Sequence, residues 1–217
     1  MTLAIFDLDN TLLGGDSDQL WGDFFAEHAN LDKVERVARG HKYYQDYVAG
    51  ILDVDEFLKF TLEPLSMFPM DILKKWRDEF IESHIKEIVL PKAIDLVAEH
   101  RCNGDTLMII TATNSFLTQP ISDLFHIPIL LATQPEIKDG KFTGNYTGVP
   151  TMGIGKVTAL HNWLTNSEET LEGSYFYSDS ANDIPLLEEV AHPVAVDADK
   201  RLTKHAEEKG WKRISLR

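Results

Sequence analysis

The sequence lacks three features that would each point to a particular class of protein. Its 217 residues include one cysteine, Cys102, so an intrachain disulfide is excluded. No stretch approaches the roughly 18 consecutive apolar residues that a membrane-spanning helix needs. The N-terminal residues also lack the basic segment and uninterrupted apolar run of a secretory signal. We therefore predict a cytoplasmic protein.

Positive charge is scarce as well. Lys and Arg number 21 against 35 Asp and Glu, which gives a formal net charge of −14 at pH 7. This balance argues against a nucleic acid or an anionic membrane as the main partner. It does not exclude an anionic substrate, because a bound metal ion and one or two lysines can make a local positive pocket.

The hydrophobic periodicity changes along the chain. Residues 16–86 read as four helices with no strand between them, which indicates a helical bundle inserted into another structure. From Leu90 onward, apolar strands alternate with helices, and a short strand at 129–131 precedes a β-hairpin at 136–143. Continuously apolar strands that alternate with helices are typical of a parallel sheet covered on both faces, so we predict an α/β fold.

The first strand is followed by two acidic residues. Asp7 and Asp9 come directly after the apolar run Leu3–Phe6, and side chains two apart in extended chain point the same way. Two such carboxylates would repel each other unless a cation lay between them. Mg²⁺ suits them, because it prefers oxygen ligands. The alternative is that this Asp-Asn segment only forms a turn.

Polar side chains also follow two other predicted strands. Thr111 and Thr113 end the strand that begins at Leu107, and Asp179 and Asp183 follow the strand around Phe176. Ligands of parallel sheets bind at the carboxyl ends of the strands, so these residues and Asp7 are expected at one edge.

Lys156 would add a positive charge to this group. Carboxylates, hydroxyl groups and a lysine are side chains that can position a phosphoryl group and stabilise its charge during transfer. A carboxylate can also attack phosphorus itself. Each residue has a simpler interpretation. Thr111 could merely end a strand, Asp183 could cap a helix, and Lys156 could be a solvated helix residue.

Four segments together resemble the haloacid dehalogenase superfamily of phosphatases, and within it the phosphoserine-phosphatase-like branch with its histidinol-phosphatase-like subgroup. The resemblance spans the chain in order. The four matching segments are Asp7-Leu8-Asp9-Asn10-Thr11, Thr111, Lys156 and Ser178-Asp179-Ser180-Ala181-Asn182-Asp183. It implies a Rossmann-like doubly wound core formed by residues 1–14 and 87–217, with an all-helical C1-type cap domain at 15–86.

The resemblance also implies residue roles. Asp7 would be the nucleophile that becomes a phospho-aspartate, and Asp9 would protonate the leaving oxygen and then activate water. Thr111, Ala112 and Lys156 would bind the phosphate. Asp7, the backbone carbonyl of Asp9, and Asp179 would bind Mg²⁺, and Asn182 and Asp183 would support them.

The cap would select the substrate, a small phosphorylated metabolite. The candidate specificity residues are Asp16, Asp18, Trp21 and Tyr43, with Tyr44 and Tyr47 as further aromatics. An acidic cap favours an amine-bearing phosphate such as histidinol phosphate, whereas phosphoserine would also need a cation, for which Arg36, Arg39 and Arg77 are candidates. The aromatics could instead form the core of the cap. A phosphoserine phosphatase and a catalytically silent phosphate- or metal-binding module stay open as alternatives, as do a monomer and a homodimer.

Overall fold

The computed structural model describes residues 2–217, apart from the side chain of Lys33. It confirms the α/β prediction, because a seven-stranded sheet with the order β4-β3-β2-β1-β5-β6-β7 forms the centre of the fold. All neighbouring strands are parallel except β4, which pairs antiparallel with β3. The strands are β1 (Leu3–Phe6), β2 (Thr106–Asn114), β3 (Ile129–Lys138), β4 (Lys141–Thr147), β5 (Tyr175–Ser178), β6 (His192–Val196) and β7 (Lys212–Ile214).

The strand at the centre of the sheet is β1. All four of its residues are fully buried, because the sheet is covered by helices on both faces. This burial is the reason why β1 reads as a continuous apolar run and not as an alternating pattern. Phe6 pairs in register with Ile109 of β2 on one side and with Tyr177 of β5 on the other. The residues that follow these three strands therefore meet at one edge of the sheet.

The helices fall into two groups along the chain. Those between β1 and β2 are α1 (Ser17–His28), α2 (Lys33–Ala49), α3 (Val54–Leu62), α4 (Met70–Phe80), α5 (Lys86–Ile88) and α6 (Pro91–Cys102). Those after β2 are α7 (Ser115–Leu124), α8 (Ile154–Leu164), α9 (Ile184–Leu187) and α10 (Lys200–Lys209). A 3-10 turn at Glu63–Met67 and a π-helical turn at Ile81–Ile85 join neighbouring helices of the first group. None of the described helices is long and apolar enough to cross a membrane.

The inserted helices leave and rejoin the sheet layer at one place. Leu13 forms an antiparallel bridge with Val89, and the Gly14 N–H donates a 2.7 Å hydrogen bond to the Ile88 carbonyl. A Cβ atom at Gly14 would lie 3.2 Å from Leu90 Cδ2, so a larger residue would crowd the point where the two connecting segments meet. The predicted cap is thus a helical insertion, and its domain boundaries at 14/15 and 86/87 stay a prediction.

The apolar core consists of two clusters, one on each face of the sheet. One of them contains Leu3, Ile5 and Phe176 and packs under helices of the second group. The other extends from Phe6 in the sheet to the inserted helices, where it includes Phe25. The insertion is therefore packed onto the sheet through a continuous apolar cluster.

One strand prediction needs correction. The segments 129–131 and 136–138 were predicted as separate strands, but they form the single strand β3. Its first half pairs with β2 and its second half with β4, so it continues past Pro135. Proline is tolerated there because the strand changes partner and its register shifts at that point.

Candidate active site

The side chain of Asp7 is held on both of its oxygens. Asp7 follows β1 directly, and its N–H donates a 2.9 Å hydrogen bond to the Tyr177 carbonyl, which extends the pairing with β5. Oδ1 lies 2.7 Å from Lys156 Nζ, and Oδ2 accepts a 3.0 Å hydrogen bond from the Thr11 hydroxyl. The residue is only 6% exposed. Its carboxylate is therefore fixed in orientation at the edge of the sheet.

Lys156 joins two of the predicted acidic residues. It is in the first turn of α8, it is 3% exposed, and Nζ lies 2.7 Å from both Asp7 Oδ1 and Asp183 Oδ2. Asp183 Oδ2 also accepts a 2.7 Å hydrogen bond from the Ser178 hydroxyl. Neither simpler interpretation applies, because Lys156 is buried and the Asp183 side chain makes no capping hydrogen bond to α9.

Thr11 contacts both Asp7 and Asp179 through its hydroxyl. Its hydroxyl lies 3.0 Å from Asp7 Oδ2 and 3.3 Å from Asp179 Oδ1, and it accepts a 3.1 Å hydrogen bond from the Asp179 N–H. A hydroxyl has one proton, so Thr11 can donate to only one of these carboxylates at a time. Thr11 was quoted in the first motif but was given no role. The sequence signal for Thr11 is its position as the hydroxyl residue that ends the segment Asp7-Leu8-Asp9-Asn10-Thr11.

Asp9 is turned toward the inserted helices. Its Oδ1 accepts a 2.7 Å hydrogen bond from the Ser17 N–H at the start of α1, and its Oδ2 accepts a 2.8 Å hydrogen bond from the Thr113 hydroxyl. Asp9 and Asp7 thus have different partners although they are two residues apart. The sequence places Thr113 at the strand end without a role, and the structure shows its contact with Asp9.

The predicted phosphate-binding residues lie beside this group. Thr111 is almost completely buried, and its hydroxyl accepts a 3.2 Å hydrogen bond from the Thr113 N–H, which leaves its own proton available. Ala112 is half-buried and follows it on β2. The structure thus brings Thr111 to the same strand end as Thr113, the residue that contacts Asp9. The phosphate-binding role of Thr111 and Ala112 stays a prediction.

The carboxylates affect one another through their charge and burial. Burial raises the pKa of Asp7 to about 6, although Lys156 opposes the shift. Burial and then the charge of Asp7 raise the pKa of Asp179 to about 8. Burial and the charge of Asp16 raise the pKa of Asp9 to about 6. Burial alone would lower the pKa of Lys156, but Asp183 and Asp7 outweigh it and raise that pKa, so the lysine stays charged.

The donor set fits a magnesium ion. Asp183 Oδ1 is buried, and no donor in the described part of the chain bonds to it. The described residues contain no group of three or more His, Cys, Asp or Glu side chains arranged to hold an ion. A cation between Asp7 and Asp179 would therefore need backbone and water oxygens as well. Mg²⁺ usually keeps several waters beside one or two carboxylates, so the residues present agree with it.

The acidic residues of the insertion lie at the start of α1. Asp16 caps this helix, because its side chain accepts a 2.9 Å hydrogen bond from the Gln19 N–H. Asp18 is in the first turn, and burial together with the charges of Asp16 and Asp9 raises its pKa to about 8. Both carboxylates are thus electrostatically coupled to the predicted site.

The two aromatic candidates pack inside the insertion. Trp21 is 4% exposed, with the rings of Phe24 and Phe80 5.8 and 5.4 Å away between centroids. The ring centroid of Tyr43 lies 5.2 Å from that of Phe60. These contacts favour the packing interpretation, and a specificity role for either residue stays a prediction.

Another tyrosine of the insertion contacts the loop after β5. The hydroxyl of Tyr47 lies 3.2 Å from Ser180 Oγ, and its carbonyl accepts a 3.0 Å hydrogen bond from Asn182 Nδ2. The Val48 carbonyl accepts a 3.0 Å hydrogen bond from Arg201 on α10. Asn182, predicted to support a metal ion, thus binds the end of α2. Sequence reasoning singled out Tyr47 only as one of several aromatics.

A parallel sheet with acidic residues at its carboxyl edge and a helical insertion after the first strand defines a class of hydrolase. Residues 4–188 match the haloacid dehalogenase-like hydrolase family, and this chain belongs to that family. The prediction of this superfamily and of an enzyme is thereby confirmed.

Similar proteins are known from sequence and from structure. Over 213 residues, 96% of each chain, the sequence is 44% identical to a histidinol-phosphatase from Neisseria meningitidis serogroup C. The fold is similar to that of a protein of unknown function from Bordetella pertussis Tohama I, with a TM-score of 0.93, 38% identity and full coverage of both chains. A substrate-bound phosphoserine phosphatase has a TM-score of 0.72 at 20% identity, with 98% of this chain and 92% of that chain covered. That last likeness shows a shared fold.

Proposed function

We propose that this chain is a Mg²⁺-dependent phosphatase that hydrolyses a small organic phosphate monoester through a phospho-aspartate on Asp7. The observation that carries the proposal is the buried pair of Asp7 and Lys156, whose Oδ1 and Nζ atoms lie 2.7 Å apart. A carboxylate that attacks phosphorus needs a fixed orientation, and the phosphoryl group needs positive charge beside it. This pair supplies both.

The proposed reaction has two steps. In the first, an Asp7 oxygen attacks phosphorus, the ester P–O bond breaks, and Asp9 gives its proton to the leaving oxygen. In the second, Asp9 takes a proton from water while the water oxygen attacks the phosphorus of the acyl phosphate, which releases inorganic phosphate and restores Asp7. A pKa of about 6 suits Asp9 to both proton transfers near neutral pH.

Magnesium would be held by Asp7, the backbone carbonyl of Asp9, and Asp179, with Asn182 and Asp183 in support. Bound Mg²⁺ would supply positive charge beside the phosphoryl oxygens. The chain contributes the rest of the arrangement. Thr111, Ala112 and Lys156 would hold the phosphoryl oxygens, and Asp183 would keep Lys156 in place.

Histidinol phosphate is the proposed substrate. It carries an amino group and an imidazole but no carboxylate, so an acidic environment beside the phosphate site would favour it. Asp16 and Asp18 provide two carboxyl groups at the start of α1, where Asp9 also binds. Burial raises the pKa of Asp18 to about 8, and a substrate cation beside it would favour its ionised form. The similarity to the histidinol-phosphatase from Neisseria supports this choice.

The arginines that phosphoserine would need are engaged elsewhere. The guanidinium carbons of Arg36 and Arg39 lie 4.5 and 4.8 Å from the centroid of the Phe60 ring. Arg77 pairs with Asp78 at 2.9 Å and also donates a hydrogen bond to the Phe116 carbonyl. Arg36 also donates a 3.5 Å hydrogen bond to the Phe60 carbonyl, and Arg39 lies 3.8 Å from Glu35. A substrate carboxylate would compete with these partners, so phosphoserine is the weaker candidate.

Phosphate release from purified protein tests the proposal. We expect turnover of histidinol phosphate with Mg²⁺, loss of turnover with EDTA, and a lower kcat/KM for phosphoserine. The Asp7→Asn variant should be folded by circular dichroism but inactive. Normal turnover by Asp7→Asn would contradict the proposed chemistry, and Mg²⁺ binding without any turnover on a broad phosphate panel would favour a silent binding module.

Two further variants test the choice of substrate. Asp16→Asn and Asp18→Asn each remove one carboxyl group near Asp9 that could pair with a substrate cation. If these residues recognise the amine, kcat/KM should fall more for histidinol phosphate than for phenyl phosphate, which has no amine. Equal losses on both substrates would mean that the two residues act on the catalytic groups and not on the amine.

A further inference from the structure

The longest described helix, α2, turns its apolar residues toward solvent. None of the α2 side chains that the structure describes is buried. Val34, Val37, Tyr44 and Val48 are 82%, 48%, 51% and 50% exposed, and Ile51, just after the helix, is 72% exposed. Eleven large apolar side chains are exposed among the described residues, and five of them lie here. Such a concentration marks an interaction surface.

Together with His41 these make six residues, of which five share one face of α2, and Ile51 follows the end of the helix after Gly50. We call the six residues the α2 stripe: Val34, Val37, His41, Tyr44, Val48 and Ile51. The six positions are separated by alternating steps of three and four residues, the spacing of the apolar seam in a coiled coil. His41 is exposed like the others. The spacing therefore indicates that another helix packs along the stripe.

A glycine beside the stripe supports the same interpretation. Gly40 lies in the interior of α2, where glycine lowers helix stability relative to alanine. Apart from its chain neighbours and the backbone of its own helix, a Cβ atom at this position would meet no atom within 4 Å, so nothing else in the described part of the chain requires the space. A missing side chain next to an apolar seam allows the backbone of a second helix to come close.

We propose that the α2 stripe is the interface of a homodimer in which the α2 helices of two copies pack antiparallel. A two-fold interface must be self-complementary, and the stripe meets this condition. Centred between His41 and Tyr44, the pairing places Val34 of one copy against Ile51 of the other. The next layer pairs Val37 with Val48, and the central layer pairs His41 with Tyr44. The outer layers then each contain two apolar side chains, and the central layer contains the rings of His41 and Tyr44.

The charges along α2 select the antiparallel direction. The first part of the helix is basic, and the last turn and the following residues are acidic. In the sequence, residues 32–42 contain Lys33, Arg36, Arg39 and Lys42 against Asp32 and Glu35, and residues 46–56 contain Asp46, Asp53, Asp55 and Glu56. Antiparallel packing places the basic part of one copy near the acidic part of the other, whereas parallel packing would bring like charges together. Antiparallel packing also places the two helix dipoles in opposite directions.

The oligomeric state of the full-length chain tests the proposal. One helix pair is a small interface, so we expect a dissociation constant in the micromolar range. Sedimentation equilibrium should give a mass that rises with concentration toward twice the 24.6 kDa of the chain. The Val37→Glu variant should stay monomeric over the same range. The matched control is Ile94→Glu on α6, where Ile94 is 51% exposed, and it should dimerise like the unmodified chain.

The Gly40→Ala variant separates a role in packing from a local effect. Alanine favours the helix, so the melting temperature of the monomer should rise. If a second helix approaches Gly40, the same substitution should raise the dissociation constant by about tenfold, the effect of about 1.4 kcal/mol. An unchanged dissociation constant would place Gly40 outside the interface and contradict the proposed packing.

Cysteine crosslinking tests the direction of the helices. In a Cys102→Ser background, the double variant Val37→Cys and Val48→Cys, whose two positions both lie within α2, should form covalent dimers under mild oxidation. Val37→Cys alone should not, because in the antiparallel pair the two copies of position 37 are about 16 Å apart at 1.5 Å of rise per residue. A monomer at all concentrations, a dimer that persists in Val37→Glu, or crosslinking through position 37 alone would each overturn the proposal.

Discussion

The hydroxyl of Thr113 donates a 2.8 Å hydrogen bond to Asp9 Oδ2 and so joins the end of β2 to the loop after β1. The Ser17 N–H holds the other carboxylate oxygen of Asp9 at 2.7 Å. The carboxylate of Asp9 therefore has a fixed direction, distinct from that of Asp7. A residue that moves protons at the substrate oxygen needs this fixed direction.

The first prediction concerns this hydrogen bond. The Thr113→Val variant keeps the shape of the side chain but loses the donor, so kcat should fall about tenfold, the effect of one hydrogen bond of about 1.4 kcal/mol to a charged group. The hydrogen bond lowers the pKa of Asp9, so the variant should have an Asp9 pKa above about 6. The pH dependence of kcat measures both effects. Thr113→Ser, which retains the hydroxyl, should behave like the unmodified protein, and equal losses in both variants would contradict the assignment.

The second prediction separates the structural role of Lys156 from its proposed catalytic role. Lys156→Met leaves Asp7 and Asp183 buried without their shared cation, so the free energy of unfolding should fall by about 3–5 kcal/mol in urea. Adding Asp183→Asn removes one of the two buried charges and should restore part of that stability. Activity should stay lost in both variants. If the double variant recovered turnover together with stability, Lys156 would have no direct part in the reaction.

The third prediction concerns pH. In the metal-free protein the pKa values of Asp7 and Asp9 lie at about 6 and that of Asp179 at about 8, above the ordinary value of 3.8. Between about pH 4 and 8 the folded state thus binds more protons at these groups than the unfolded state. Their contribution to the free energy of unfolding therefore decreases as the pH rises through this window.

Magnesium should counteract this loss. A cation competes with protons for the same carboxylates, so Mg²⁺ should raise the melting temperature more at about pH 8 than at about pH 5. Differential scanning fluorimetry with Mg²⁺ or EDTA measures the difference. The Asp179→Asn variant should show a smaller magnesium effect and a shallower pH dependence. An equal effect of Mg²⁺ at both pH values would place its binding site elsewhere.

The fourth prediction compares two tyrosines of α2. Tyr47→Phe removes the hydroxyl that lies 3.2 Å from Ser180 Oγ and so weakens the contact between the insertion and the loop after β5. We expect KM to rise about threefold, the effect of a hydrogen bond at the weak end of the usual range, with a smaller change in kcat. Tyr43→Phe keeps the ring packed against Phe57 and Phe60 and should leave KM unchanged. A larger rise in KM for Tyr43→Phe would instead support the predicted specificity role of that residue.

The predicted strands were accurate where both faces of the sheet are covered. The apolar runs at Leu3–Phe6 and Tyr175–Tyr177 lie in β1 and β5, because a strand buried on both faces reads as a continuous apolar run. The prediction was wrong for β3, which was divided into two strands. Its second half pairs with β4 beyond the end of the pairing with β2, and none of its residues from 134 to 138 is buried, so it has no continuous apolar pattern.

The sequence by itself determined the helical insertion, the buried strands and the position of each acidic residue at a strand end. These features depend on local periodicity, which spans a few residues. Only the tertiary structure decided which side chains meet. Asp7 and Lys156 are 149 residues apart in the chain and Asp9 and Thr113 are 104 apart, and the order of β1, β2 and β5 in the sheet brings them together. Periodicity likewise marks Trp21, Tyr43 and Tyr47 as helical aromatics, but their different surroundings arise from the packing of α1 and α2 against distant residues.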